Sequence, residues 1–268
     1  MVYQGLDIGT AKPSSSVLKK IPHRLIDICD PKESYSAARF QQDAYSAIDE
    51  IQKKGKVPIL VGGTGLYFRA LEYGLDSLPE ADHLIRAKIE AEAEAKGWNY
   101  MHAKLSKIDS KSAFRINQND TQRIQRALEV FEITGNTLTE LTNTENKKSF
   151  PFPIKKIILF PDNRKELHER VRRRFVKMLE TGFVEEVKSF YERGDLSPDL
   201  PSMRLVGYRQ IWRYLDNQIS HSEMREYSII ATRQLAKRQM TWFRAEKTAK
   251  WFDPYKSDIF SKILSNFI

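Results

Sequence analysis

One cysteine, Cys29, is all the thiol chemistry this 268-residue chain contains. A lone thiol makes no internal disulfide, and no Cys/His cluster has the spacing of zinc ligands, so disulfide frameworks and structural zinc are excluded. Cys29 reads as a small buried residue on a strand. Long apolar runs are also missing: none approaches the ~18 residues that a membrane span needs. The first residues, MVYQGLDIGTAKP, have neither the basic start nor the apolar core of a secretory signal. A cytoplasmic protein with no membrane partner is expected. Internal repeats and low-complexity tracts are absent too. With 41% hydrophobic and 29% charged residues, the composition is that of a globular chain. Its length suits one large domain or two smaller ones, each with a core.

Charge is in excess on one side. The net formal charge is +9, and Pro201 to Lys250 holds ten Lys/Arg against four Asp/Glu, a net of +6. A clustered positive field suits a polyanionic partner. On charge alone, a solvated basic helix surface is the better account.

Along the chain, Leu25 to Ile28 is a short β-prone run ended by Pro31. Ser36 is placed to cap a helix in which Phe40, Ala44, Ile48 and Ile51 form a core-facing stripe, and Gly55 closes it. Val57 to Val61 reads as a buried strand leading into the turn GGTGLY, Gly62 to Tyr67, and a further helix. That order is an α/β unit with a parallel sheet. From about Asp76 to Asn146 helical patterns follow one another without a strong strand, as in an all-helical insertion. Strand character returns at Ile154 to Phe160, before a long helix with Leu167, Val171, Phe175 and Met178 as its buried stripe. Arg172, Arg173 and Arg174 in that helix point three ways, so some are ordinary surface charges. The expected organisation is an α/β core of residues 1–75 and 147–268 around a helical insertion, 76–146.

Three segments carry candidate chemistry. In the turn Gly62, Gly63, Thr64, Gly65, glycines admit a close anion and the helix start faces it. Thr64 could cap the helix or donate to a leaving phosphate oxygen. Many α/β turns need glycine for backbone reasons alone. In NDTQRIQRALE, Asn119 to Glu129, Asp120 is a plausible N-cap, and Ile124, Leu128 and Phe131 face a core. Gln122, Arg123, Gln125 and Arg126 lie on the polar side, where they suit base edges and phosphates or simply form a solvated face. In Ala231 to Arg244, Arg233, Lys237 and Arg244 share one helix side, with Leu235 and Trp242 on another. RNA binding and an amphipathic core helix account for this pattern equally well.

GLDIGTAKP, VGGTGLY, NDTQRIQRALEV, VGYRQ and ATRQLAKRQMTW stand in the order seen in tRNA dimethylallyltransferases, also called tRNA isopentenyltransferases, and the chain resembles that family from residue 1 to about Phe252. The resemblance implies a P-loop NTPase-like α/β core with a helical insertion, enclosing a channel. It implies transfer of a dimethylallyl group from dimethylallyl diphosphate to N6 of a flipped adenosine just 3′ of the anticodon, in tRNAs reading codons that begin with U, with Mg2+ assisting. By the same resemblance Thr64 is the catalytic residue at the bridging diphosphate oxygen, flanked by Gly62, Gly63 and Gly65. The anticodon stem-loop is gripped by Gln122, Arg123, Ile124, Gln125 and Arg126. Arg204, Leu205, Val206, Gly207, Tyr208 and Arg209 belong to the same surface, as do Lys237, Arg238, Gln239, Met240, Thr241, Trp242, Phe243 and Arg244. A monomer is expected.

The family pattern also has a first strand, a GxxxxGK[ST] loop and an Asp-Ser pair ahead of the tyrosine matching Tyr3, none of which is in this sequence. GLDIGTAK is no substitute, since three residues separate its glycines and Lys12 does not follow Gly9. The expected consequence is weak or no turnover by this chain by itself. A non-catalytic tRNA-binding remnant is the next reading, and a nucleotide kinase of related fold the last.

Overall fold

A computed structural model describes residues 1–142 and 150–265. Its elements in order are α1 (Ser15–Lys20), α2 (Ala37–Lys53), α3 (Gly65–Tyr73), α4 (His83–Lys96), α5 (Trp98–Ile108), α6 (Ser110–Arg115), α7 (Thr121–Thr134), α8 (Leu138–Thr142), β1 (Ile157–Leu159), α9 (Arg164–Glu180), α10 (Phe183–Tyr191), α11 (Tyr208–Leu215), α12 (His221–Phe243), β2 (Lys250–Phe252) and α13 (Ile259–Leu264). They form two compact units: Met1–Leu71 with Pro151–Ile268, and Glu72–Phe150. The boundary expected at residues 146/147 lies outside the described residues.

In the first unit α2 forms as its sequence dictates. The Ser36 hydroxyl accepts from the Arg39 N–H at 3.1 Å, Phe40, Ala44 and Ile48 are buried, and Gly55, with φ +66°, turns the chain after the last helical turn. The motif tyrosine Tyr67 ties α3 to α2: its ring stacks on Phe40 at 4.5 Å and its hydroxyl donates to the Tyr35 carbonyl at 3.1 Å.

Strand content differs from expectation. The sheet among the described residues is the parallel pair β1–β2, with Ile157 opposite Lys250 and Leu159 opposite Phe252. The expected strand at Ile154 to Phe160 shortens to β1, and β2 has no counterpart in the sequence reading. Leu25 to Ile28 is not a strand, because Leu25 and Asp27 adopt φ of +61° and +54°, which no extended run accommodates. Cys29 is buried as expected, on an isolated parallel bridge to Tyr3. Val57 to Val61 is neither a strand nor buried: Val57, Ile59 and Val61 are 79%, 72% and 91% exposed. A strand exists only through its neighbours' hydrogen bonds, and the described residues place none beside this segment.

The second unit is helical throughout its described residues. Ile89, Ala93, Met101, Leu105, Ala113, Ile116, Ile124, Ala127 and Leu128 form its core. Two buried carboxylates brace it. Glu129, fully buried, accepts from Arg86, from Arg126 and from the Asp82 N–H at 2.9 Å. Asp109 accepts from the Thr139 N–H and hydroxyl and the Ser112 N–H. Burial opposes ionisation of both, but the hydrogen bonds outweigh it: Asp109 is held at about 2 and Glu129 below the ordinary glutamate value. Depressed values contribute stability that is complete above the ordinary 3.8 and 4.5 and is lost as the pH falls toward 2. Replacing Glu129 by Ala strands Arg86 and Arg126. The expected cost is about 3 kcal/mol, at the low end for buried pairs because both guanidiniums reach solvent. Hydrogen exchange in α4 and α7 should therefore quicken roughly 100-fold; unchanged protection there would show that the carboxylate does not brace the unit.

Candidate functional site

The GGTG turn opens α3 and lies against the far end of α12. The Gln239 side-chain amide donates to the Gly63 carbonyl at 3.1 Å. A Cβ at Gly63 would fall inside that amide, and one at Gly65 would sit 2.8 Å from the Trp242 ring. Neither glycine has a positive φ, so it is the approach of α12 that requires them. Thr64 is exposed while both flanking glycines are half-buried, and its carbonyl accepts from the Tyr67 and Phe68 N–H groups at 2.9 and 3.4 Å. The turn thus has a covered side, toward α12, and an open side carrying Thr64 and Gly62.

On α12, Gln239 and Trp242 are spaced i, i+3 and turned to the GGTG turn. Lys237, Arg238, Thr241 and Arg244 are exposed, and Met240 and Phe243 are half-buried. Two segments far apart in sequence are therefore brought together, and Gln239 and Trp242, read as RNA contacts, are also the contacts that join them.

The VGYRQ segment divides. Arg204 and Arg209 are exposed, Leu205 and Val206 half-buried, and Gly207 and Tyr208 buried. The Tyr208 phenol donates to Glu186 at 2.5 Å. Burial, then the Glu186 carboxylate, push its pKa far up and hold it protonated. Tyr208 is therefore corrected from a surface contact to an internal strut. Glu186 also accepts from the Asp7, Ile8 and Gly9 N–H groups at 3.2, 2.6 and 3.3 Å, so the GLDIGTAK turn cradles the chain's own carboxylate. Lys12 pairs with Asp7 and Asp27.

In the second unit Asp120 caps α7 through the Arg123 N–H at 3.2 Å. Gln122 and Arg123 are exposed, and Gln122 lines a hollow of about 440 Å³ with Asn117, Asn119, Asp120 and Thr121. Ile124 is fully buried and so is corrected from a contact to core. Gln125 donates to Glu90 at 2.8 Å. Arg126 is occupied internally: its guanidinium donates to Glu129 and to the Pro79 carbonyl, both at 2.6 Å. The surface left to a ligand here is Gln122 with Arg123.

One cationic feature was not anticipated. Arg174 and Lys177 of α9 share with Lys12 and Asp7 a hollow of about 400 Å³ in the first unit. The signal in the sequence is the spacing of Arg174, Lys177, Met178 and Thr181, which lie on one helical side, whereas Arg172 and Arg173 point elsewhere. No group of three or more His, Cys, Asp or Glu placed to hold a metal ion occurs among the described residues. They supply no cage for Mg2+; a magnesium ion held chiefly by diphosphate oxygens and water needs none. Among the described residues no helix is long and apolar enough to cross a membrane.

Comparison with known proteins gives a consistent result. The IPP transferase family model matches residues 1–246. A tRNA dimethylallyltransferase of Alkalilimnicola ehrlichii is 54% identical over 95% of this chain and 80% of its own length. One of Coxiella burnetii is 50% identical over 98% and 88%. Among solved structures, the tRNA isopentenylpyrophosphate transferase of Bacillus halodurans superposes with a TM-score of 0.69 at 38% identity, covering 99% of this chain and 83% of that one. A eukaryotic dimethylallyltransferase acting on tRNA gives 0.80 at 25% identity, with 99% and 70% covered. The chain is thus a member of the IPP transferase family, a prenyltransferase with a P-loop NTPase-like α/β fold.

Proposed function

We propose that this chain acts as a tRNA dimethylallyltransferase, moving the five-carbon group of dimethylallyl diphosphate to N6 of the adenosine just 3′ of the anticodon in tRNAs reading codons that begin with U. The observation that carries the reading is the seat of α12 on the GGTG turn, which sets an anion-facing glycine turn against a helix bearing exposed Lys237, Arg238 and Arg244.

In the reaction the N6 lone pair forms a bond to the allylic C1 as the C1–O bond breaks, and that electron pair departs with the diphosphate. The proton lost from N6 passes to a base or to water. Charge therefore develops on the bridging oxygen, where a fixed hydroxyl donor lowers the barrier. Thr64 is the candidate donor: it is exposed, it opens α3, and its backbone is held by its own helix. Mg2+ bound to the diphosphate would supply further neutralisation of the leaving group.

The RNA is bound by exposed cations, Arg204, Arg209, Lys237, Arg238 and Arg244 on the first unit and Arg123 with Gln122 on the second. Cations meet phosphate oxygens and set register, while amide side chains and rings are suited to unstacked bases. The anticodon stem-loop is the part of tRNA these side chains are proposed to grip.

Two measurements follow. Thr64→Ala should lower kcat by ~10²- to 10³-fold, with Thr64→Ser retaining most activity and stem-loop affinity unmoved; wild-type turnover in the alanine variant would take Thr64 out of the mechanism. Arg238→Ala should weaken stem-loop binding and reduce the log-log salt slope by roughly 0.7 to 0.9. An unaltered slope would return Arg238 to the solvated surface.

A further inference from the structure

We propose that Gln239 is a positioning residue for the prenyl transfer, acting through the Gly63–Thr64 peptide and not through the RNA. The inference rests on the reading of Thr64 as the group that faces the leaving diphosphate.

The argument starts from peptide geometry. A trans peptide is planar, and its C=O and N–H point in opposite directions. Gln239 takes the Gly63 carbonyl at 3.1 Å toward α12, so the N–H of Thr64, in the same peptide unit, is aimed away from α12. That is the open side of the turn, where Thr64 is exposed and where α3 begins with N–H groups that have no partner within the helix. One side-chain amide thus decides whether the Thr64 N–H joins the donors presented to an anion or turns back into the protein. Were the peptide to flip, a carbonyl oxygen would face the diphosphate instead, and attraction would become repulsion.

The packing around the contact is consistent with a fixed fit. The space a Cβ would need at Gly63 is filled by the Gln239 amide, and at Gly65 by the Trp242 ring. Since Gly63 has no positive φ, its glycine is required by the amide and not by the backbone. The exposed cations of α12 at 237, 238 and 244 do not take part in this contact, so the helix keeps its RNA-facing and turn-facing residues separate.

The test separates positioning from RNA binding. Gln239→Met keeps length and loses the donor. It should lower kcat roughly 10- to 100-fold, the scale of a small misplacement of a reacting group, while KM for dimethylallyl diphosphate and Kd for an unmodified anticodon stem-loop stay within about twofold. Gln239→Glu should be as slow at neutral pH but recover as the pH falls through the carboxyl pKa, because a protonated carboxyl can again donate to the Gly63 carbonyl; Gln239→Met should show no such recovery. Gly63→Ala should show the same kcat loss, and Gly63→Ala/Gln239→Met should be no worse than either single variant, since all three break one contact. Weakened stem-loop binding with wild-type kcat in Gln239→Met would make Gln239 an RNA contact and overturn the proposal, as would multiplicative losses in the double variant. Thr64→Ala is assayed alongside. If it is fully active, the reading of the turn fails and the positioning role fails with it; if it is slow and Gln239→Met is not, only the positioning role fails.

Discussion

Backbone N–H groups gathered in a turn must find an acceptor, and in the first unit Glu186 is the acceptor on which the arrangement depends. Its carboxylate takes three consecutive N–H groups from Asp7 to Gly9 and the phenol of Tyr208, tying the N-terminal turn to α10 and to the start of α11. Gly9 has to be glycine for this, because a Cβ would lie within the Phe183 and Tyr208 rings. Such a ring of N–H groups is a ready anion site. Here the anion is internal, and Lys12 is committed to Asp7 and Asp27. Of the two glycine-bearing turns, one is thus closed from within. The other, GGTG, has an exposed side carrying Gly62 and Thr64.

What the sequence revealed of the fold follows from how local each cause is. The start, stripe and end of α2 rest on Ser36, Phe40, Ala44, Ile48 and Gly55, all within one helix, and the structure has each in its expected place. Asp120 capping α7 is equally local. Strands are non-local. The apolar run Val57 to Val61 carries no information on whether a neighbour lies beside it, and it is exposed among the described residues. β2 is three residues long, too short for alternation to register, and is defined by β1 alone. At Leu25 and Asp27 the left-handed backbone accompanies the Asp27–Lys12 pair and a hydrogen bond from the Asp27 N–H to Met1, partners remote in sequence.

For the candidate site, the sequence names segments and leaves the burial of each side chain open. Motif order pointed to GGTG, NDTQRIQR, VGYRQ and the α12 segment, but burial then sorted residues that look alike in a string. Arg123 and Arg126 are one helical turn apart; Arg123 is exposed, whereas Arg126 neutralises buried Glu129. Glu129 three residues on was the visible clue, and its burial, which depends on Arg86 and Asp82 across the unit, was not. Tyr208 between exposed Arg204 and Arg209 is the same case, since its partner Glu186 is 22 residues away.

The division of labour along α12 has a physical consequence. Its exposed cations would act through long-range fields that salt screens over about 10 Å at 0.1 M. The Gln239 contact is a neutral hydrogen bond of 3.1 Å, part-buried beside Trp242, and screening barely touches it. Salt can therefore loosen the hold on a polyanion without loosening the seat of α12 on the GGTG turn. A chain that must release a large modified RNA and still keep a reacting geometry to within a fraction of an ångström gains from that separation, because the two demands are then met by forces with different reach. One continuous helix places both sets of residues, and the spacing of three between Gln239 and Trp242 keeps the turn-facing pair on its own side.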